Sequence, residues 1–228
     1  MSDKPLILAS RSPRRIALLR ELGLPFEAVS SDADERAAQG DCPDVLAMDA
    51  ARLKAEDVAG RFPDRLVLGA DTVVYLDRQE PGECAADRPP ANFTILGKPA
   101  DPAEARAMLV ALRNRRHGVV TGLCLIAPDR SVRTAAETTR VWMCDFSDGE
   151  LDIYLASGEP LDKAGAYGIQ GGAAALIEEI EGDYFNVVGL PLSLLVSLLR
   201  PWCAVDSLRI PPVPSQFARS SFTPPQNE

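Results

Sequence analysis

The chain has 228 residues, 46% of them hydrophobic and 25% charged, with a formal net charge of -9 at pH 7. That length holds one sizeable α/β domain or two small lobes, with ample apolar content for a core. No apolar run approaches a membrane span, the N-terminus lacks a signal-like start, and the negative balance disfavours a nucleic-acid polymer as partner; the expectation is a cytoplasmic protein able to bind a small anion locally.

LILASRSPRRIALLRELG opens as a buried strand and continues as an amphipathic helix. Ser12 suits the N-cap and Pro13 the first helical position, which puts Arg14 and Arg15 in the first turn. Cations are disfavoured at a helix start unless an anion lies among them, and a phosphate would remove the conflict. Read alone, the two arginines equally suit a solvated helix start. Gly23 and Pro25 end this first βα unit, FEAVSS follows as a strand, and the acidic DADE comes next with Glu35 at its end. An acidic run of that kind is usually a solvated face. Pro43 starts a helix with Leu46, Ala50, Leu53 and Asp57 at helical spacing, and Lys54 lies beside that stripe.

RLVLGADTVVYL is strongly β-prone, yet Gly69, Ala70 and Asp71 interrupt it. An aspartate in an apolar strand is costly to bury unless it faces a site or accepts hydrogen bonds; the alternative is that Gly69 ends the strand and Asp71 caps a turn. Residues 77–95, rich in proline, glycine and charge, read as a long surface hairpin or partly disordered insertion. GKP, with Lys98, closes it. Asp101, Pro102 and Glu104 then start a helix with Ala105, Met108, Leu109 and Leu112 on one face.

HGVVTGLCLIA and SVRTAAETTRVWMCDF form a long antiparallel pair around the turn APDR. Ser147 and Glu150 make a capping box for a further helix, which ends near Ser157. LDKAGAYGIQGG is a glycine-rich loop whose Gln170 carries both a donor and an acceptor, enough to read the edge of a base. AALIEEI is the next strand, EGDY a tight turn, and Pro191 to Arg200 the last helix. From about residue 206 the chain is too rich in proline and polar residues to pack, and a flexible tail is expected. The five cysteines form no CxxC pair, and the single histidine, His117, opens an apolar strand, so neither a zinc site nor a histidine-based hydrolase is indicated. Together the basic joint, the strand carboxylate, GKP and the glycine-rich loop describe a metal-assisted site for a phosphorylated ligand.

LASRSPRR, GADTVV, GKP, SGEPLDKAGAYGIQG and EGDYFNVVGLPL, in that order, resemble the successive motifs of the Maf family of nucleoside triphosphate pyrophosphatases. The resemblance implies an α/β fold, a mixed twisted sheet with flanking helices and two lobes around a deep cleft, akin to the inosine triphosphate pyrophosphatases. It spans residues 1–205 as one domain, with the insertion at about 77–95 and the tail at 206–228 outside the family pattern. It implies hydrolysis of a nucleoside triphosphate to the monophosphate and pyrophosphate with a divalent metal, Mg2+ or Mn2+. By resemblance, Asp71 accepts the proton of the attacking water, Arg14, Thr72 and Gln170 select the substrate, and Ser10, Arg15, Lys54 and Lys98 hold phosphates. Glu35 and Asp71 would face the metal. The GIQG form with Gln170 is similar to the branch acting on dTTP and UTP rather than on 7-methyl-GTP, and a homodimer is plausible by resemblance alone. Readings of another kind, a nucleotide-binding regulator of cell division or a phosphatase releasing orthophosphate, differ in the product released.

Overall fold

Strand β1 (Leu6–Leu8) is buried on both faces, and its alternation sends Leu6 and Leu8 to one side and Ile7 to the other. It is the inner parallel strand of a sheet that continues with β2 (Phe26–Ala28), β3 (Val67–Asp77), β4 (Phe93–Leu96), β5 (Arg116–Ile126), β6 (Val132–Met143) and β7 (Ile177–Glu181). The computed structural model describes residues 5–77, 93–203, 208, 211–214 and 217. Among these the strand order is β2-β1-β3-β5-β6-β7, with β4 added to β3. β1 pairs in parallel with β2 and β3, and every other pairing is antiparallel.

Among the described residues six helices flank this sheet: α1 (Pro13–Leu22), α2 (Pro43–Arg61), α3 (Pro102–Leu112), α4 (Asp148–Ala156), α5 (Tyr184–Val188) and α6 (Leu192–Leu199). Of these helices α2 alone covers one face, packing Ala51, Ala55, Val58 and Ala59 on Ile7, Val67, Cys124 and Ile126. Apolar side chains of the other five join the larger core on the opposite face, among them Leu19, Leu109, Leu151, Phe185 and Leu195. The mixed α/β architecture expected from the sequence is therefore present, and none of the described helices is long and apolar enough to cross a membrane.

Several local expectations change. β3 runs unbroken through Gly69, Ala70 and Asp71, so Gly69 does not end the strand. A side chain at Gly69 would collide with the Ala51 carbonyl, and one at Gly122 with the Ala47 backbone, so these glycines let α2 lie directly on the sheet. The buried side of α2 accordingly holds Ala47, Ala50, Ala51, Lys54 and Ala55, while Leu46 and Leu53 are only half-buried. Residues 172–176 form a 3-10 turn, and the strand read as AALIEEI starts at Ile177. EGDY leads into the short helix α5, which the sequence reading took as a turn only.

The two ends of the insertion meet, since Phe93–Leu96 pairs with residues 74–77; residues 78–92 lie outside the described residues. The tail does not lack packing altogether. Phe217 is buried and stacked on Tyr184 with ring centroids 5.4 Å apart, and Leu208 and Val213 lie against the same core. Sparse apolar residues between prolines suffice for this contact, which an average over the tail's composition conceals. Residues 206, 207, 209, 210, 215, 216 and 218–228 lie outside the described set.

Candidate functional site

The site follows from how β3 is paired. On the edge away from β5, β3 pairs with β1 only at Val67 and Leu68 and with β4 only from Val74 onward. Over residues 69–73 no described strand takes that edge, and Asp71 and Thr72 stand in the gap. Because β1 stops at Leu8 and the chain turns into α1, the gap also lies at the carboxyl end of a parallel strand, where α/β sheets offer a crevice. A cleft of about 1110 Å³ opens there. Its walls include Ser10, Arg14, Arg15, Glu35, Lys54, Asp71, Thr72, Lys98 and Gln170, so every residue singled out from the sequence lies on one cavity.

Two clusters face this cleft from opposite faces of β3, as the alternation of a strand requires for neighbours Asp71 and Thr72. In the first, the buried ammonium of Lys54 lies 2.6 Å from Asp71 Oδ1 and 2.9 Å from Glu35 Oε1. Lys54 reaches Asp71 because α2 packs directly on the sheet, and Glu35 arrives on a 3-10 turn whose first N–H groups are capped by Asp34, which accepts from Arg36 N at 3.0 Å. Burial alone would raise the Glu35 carboxyl, but Lys54, then Lys98 and Arg15, outweigh it and hold it below its ordinary value.

In the second cluster, Arg15 is 8% exposed and is gripped at three points. Its Nε donates to the Gly189 carbonyl at 2.8 Å, Nη2 to Thr72 Oγ1 at 3.0 Å and Nη1 to Ser10 Oγ at 3.4 Å. Burial pushes its pKa below the usual arginine value, while Asp71 and Glu35 oppose that and Arg14 adds to it. Ser12 occupies the N-cap position of α1, but its side chain caps nothing; its own N–H donates to Ser10 Oγ at 3.2 Å. Ser12 is thus a cap by position only, and Ser10 does the local bonding because it also receives Arg15.

Arg14, Lys98 and Gln170 stand apart from both clusters on the cleft wall. Arg14 Nη1 lies 3.7 Å from Asp162, and Lys98 follows Gly97, whose carbonyl accepts from Gly165 N at 3.1 Å. That bond ties GKP to the glycine-rich loop, where Gly165 sits at φ +70, a conformation that favours glycine. Gln170 is exposed, and its side chain is close enough to the Tyr184 hydroxyl to favour its ionised form.

Glu35 and Asp71 are the only pair in the cleft read as metal-facing, and their oxygens converge on one point, now held by the Lys54 ammonium. Two hard oxygen donors suit Mg2+ or Mn2+ when phosphate oxygens and water complete the shell. Among the described residues no group of three or more histidine, cysteine or acidic side chains is arranged to hold a metal by itself. His117 is a buried structural residue: Nε2 lies 2.6 Å from the Tyr167 hydroxyl, and burial, with Arg140, pushes its pKa down to about 3.

The sequence reading gave no role to Thr121, Asn186 or Gly189. Thr72 Oγ1 lies 2.9 Å from Thr121 Oγ1, and Thr121 donates to the Asn186 carbonyl at 3.0 Å. The Asn186 amide donates to Val119 O and Thr139 Oγ1, both at 2.9 Å. Gly189 has φ +119, which turns its carbonyl toward Arg15. Only the motif EGDYFNVVGLPL, quoted for its resemblance, pointed to this region.

Known proteins resemble the chain over most of its length. The matching family is described as Maf-like protein and covers residues 5–202. The dTTP/UTP pyrophosphatase of Symbiobacterium thermophilum is 48% identical over 194 residues, 85% of this chain and 92% of that protein. That of Salinibacter ruber is 49% identical over 199 residues, 86% and 90% of the respective chains. The solved Ham1 protein of Staphylococcus aureus overlays with a TM-score of 0.49 at 17% identity, across 87% of this chain and 99% of that one.

Proposed function

The chain belongs to the Maf family, and from that premise we propose that it hydrolyses dTTP and UTP to the nucleoside monophosphate and pyrophosphate. The observation that carries the reading is the position of Asp71: a carboxylate fixed by a buried ammonium, in a cleft whose opposite wall is a helix start bearing Arg14 and Arg15. The triphosphate supplies the anion that this helix start lacks.

In the mechanism, Arg15, Ser10, Lys54 and Lys98 bind the phosphate chain and orient it toward Asp71. Asp71 takes the proton of a water whose oxygen bonds to phosphorus as the α–β anhydride bond breaks, and pyrophosphate leaves with the electron pair of that bond. Guanidinium and ammonium groups stabilise the charge spread over the phosphoryl oxygens. Glu35 and Asp71 would hold the divalent cation, which neutralises phosphate charge when bound. Gln170 offers both an acceptor and a donor to the uracil or thymine edge, whose N–H and carbonyl need one of each. On the same reading its place is the cytoplasm.

The purified protein is to be incubated with Mg2+ or Mn2+ and separate nucleotides, including dTTP, UTP, CTP, GTP and 7-methyl-GTP, with pyrophosphate and orthophosphate measured apart. Metal-dependent pyrophosphate from dTTP and UTP is expected. Orthophosphate as the product overturns the reaction, and a purine preference overturns the base reading. Asp71→Asn should lower turnover roughly 10²- to 10⁴-fold with nucleotide binding retained.

A further inference from the structure

The motif EGDYFNVVG has no part in the mechanism above, yet it grips the phosphate-binding arginine twice. Gly189, at the end of α5, accepts directly from Arg15 Nε at 2.8 Å. The second grip is indirect. Thr121 is fully buried and donates to the Asn186 carbonyl at 3.0 Å. A hydroxyl has one hydrogen, so the 2.9 Å contact between Thr72 and Thr121 must have Thr72 as donor. Thr72 has then spent its own hydrogen and meets Arg15 Nη2 only as an acceptor, at 3.0 Å. The chain of donation therefore runs in one direction, from Arg15 to Thr72 to Thr121 to the Asn186 carbonyl. The far end is anchored, since the Asn186 side chain is held by β5 at Val119 and by β6 at Thr139. Of the five N–H groups of Arg15, three are engaged by Gly189, Thr72 and Ser10, which leaves one on each terminal nitrogen for the cleft.

We propose that Thr121 is a positioning residue: by fixing the direction of the Thr72 hydroxyl it holds the Arg15 guanidinium so that its two remaining N–H groups face the phosphate chain. Thr121 touches no ligand and acts only through Thr72. The proposal rests on the nucleotide reading of the cleft but not on which bond is cut. It also implies that Thr72 offers the nucleotide no hydrogen, so any selection by Thr72 passes through Arg15 or through the shape of its methyl group.

The test measures binding of α,β-imido-dTTP, which resists cleavage, by calorimetry to wild type, Thr121→Val, Thr121→Ser, Thr72→Val and the Thr72→Val/Thr121→Val double variant, with the unfolding midpoint of each. Thr121→Val should weaken binding about tenfold, the size expected for one hydrogen bond steering a charged group. Thr121→Ser should restore it. The affinity loss should vanish in the Thr72→Val background, whereas the stability loss from the missing Thr121–Asn186 hydrogen bond should persist there, the Asn186 carbonyl keeping only its Gly189 N–H donor. An affinity loss of equal size in both backgrounds, or no rescue by serine, overturns the proposal. Should Thr121→Val not fold, Thr121→Cys takes its place in the same cycle, because a thiol has similar shape and is a weak donor. Wild-type binding without pyrophosphate release would sink the hydrolysis reading and leave this cycle intact as a judge of Thr121.

Discussion

Lys54 is 7% exposed and carries a charge that only its two carboxylate partners justify. Such an arrangement fixes geometry more than it stabilises the fold, because desolvation offsets most of the attraction; removing one member, however, leaves uncompensated charge behind. Lys54→Met should therefore destabilise the protein by about 2–4 kcal/mol in urea unfolding near neutral pH and abolish pyrophosphate release together with it. The pH dependence of the same cluster has a definite sign. Glu35 is held below its ordinary value, so its contribution to stability is complete above that value and is lost as pH falls through the lower folded one. The stability gap between wild type and Glu35→Gln should accordingly shrink when unfolding is repeated at about pH 3 instead of about pH 6; a gap independent of pH would remove the Lys54–Glu35 pair from this account. Asp71 was legible in the sequence because a carboxylate in an apolar strand is an anomaly that demands a partner, whereas Lys54 showed only as a lysine beside an apolar stripe and owed its phosphate role to the resemblance. Thr121 left no such mark, since threonine is an ordinary strand residue and its hydrogen bond runs to a backbone carbonyl.

At the scale of elements, the contact between α2 and the sheet sets the site. Ala47, Ala51, Ala55 and Ala59 recur every four residues and form a smooth helix face, met by Gly69 and Gly122 on the strands. This close approach lets Lys54, three residues after Ala51, reach Asp71, two residues after Gly69 on the same face of β3. The sequence reading sought the buried side of α2 among its leucines, because hydrophobic periodicity weighs large side chains. Here the small ones face the sheet, and nothing within the helix alone says that glycines await them. Gly69 was likewise read as a break because its partner helix lies 14 to 18 residues away in sequence, beyond any local pattern. Gly122 pairs with Asp71 across the β3–β5 register. Gly122→Ala should push α2 outward, lower stability by about 1–3 kcal/mol as overpacking does, and reduce turnover beyond what the remaining folded fraction explains. Thermal unfolding and pyrophosphate release measured on the same samples separate the two effects; full activity per folded molecule would show that α2 can move without disturbing Lys54.

On the scale of the whole molecule, five motifs scattered over the chain converge because β1 and β4 leave a gap along one edge of β3, and both flanks of that gap carry cations. The order of the motifs was readable, but the gap depends on where each strand stops, which turns on pairings between distant segments. The tail shows the same limit from the other side. Its composition argues against packing, yet Phe217 is 9% exposed and stacks on Tyr184 at an interplanar angle of 26°. Tyr184 opens α5, the helix that grips Arg15 through Gly189 and Asn186, and its hydroxyl lies near the Gln170 side chain. One aromatic contact thus connects a segment beyond the family match to both the Arg15 cluster and Gln170, the base reader proposed above. Because the ring sits at the edge of the core, Phe217→Ala should cost about 2 kcal/mol, less than a fully enclosed phenylalanine, and ending the chain after residue 203 should cost at least as much. The KM for dTTP should rise in both proteins, while Tyr184→Phe, which keeps the stack and loses only the hydroxyl, should raise KM with little change in stability. If Phe217→Ala leaves the unfolding midpoint unmoved, the stack does not form in solution and α5 must be held by the Asn186 anchors alone; if stability falls with KM unchanged, the tail supports the fold without reaching the base.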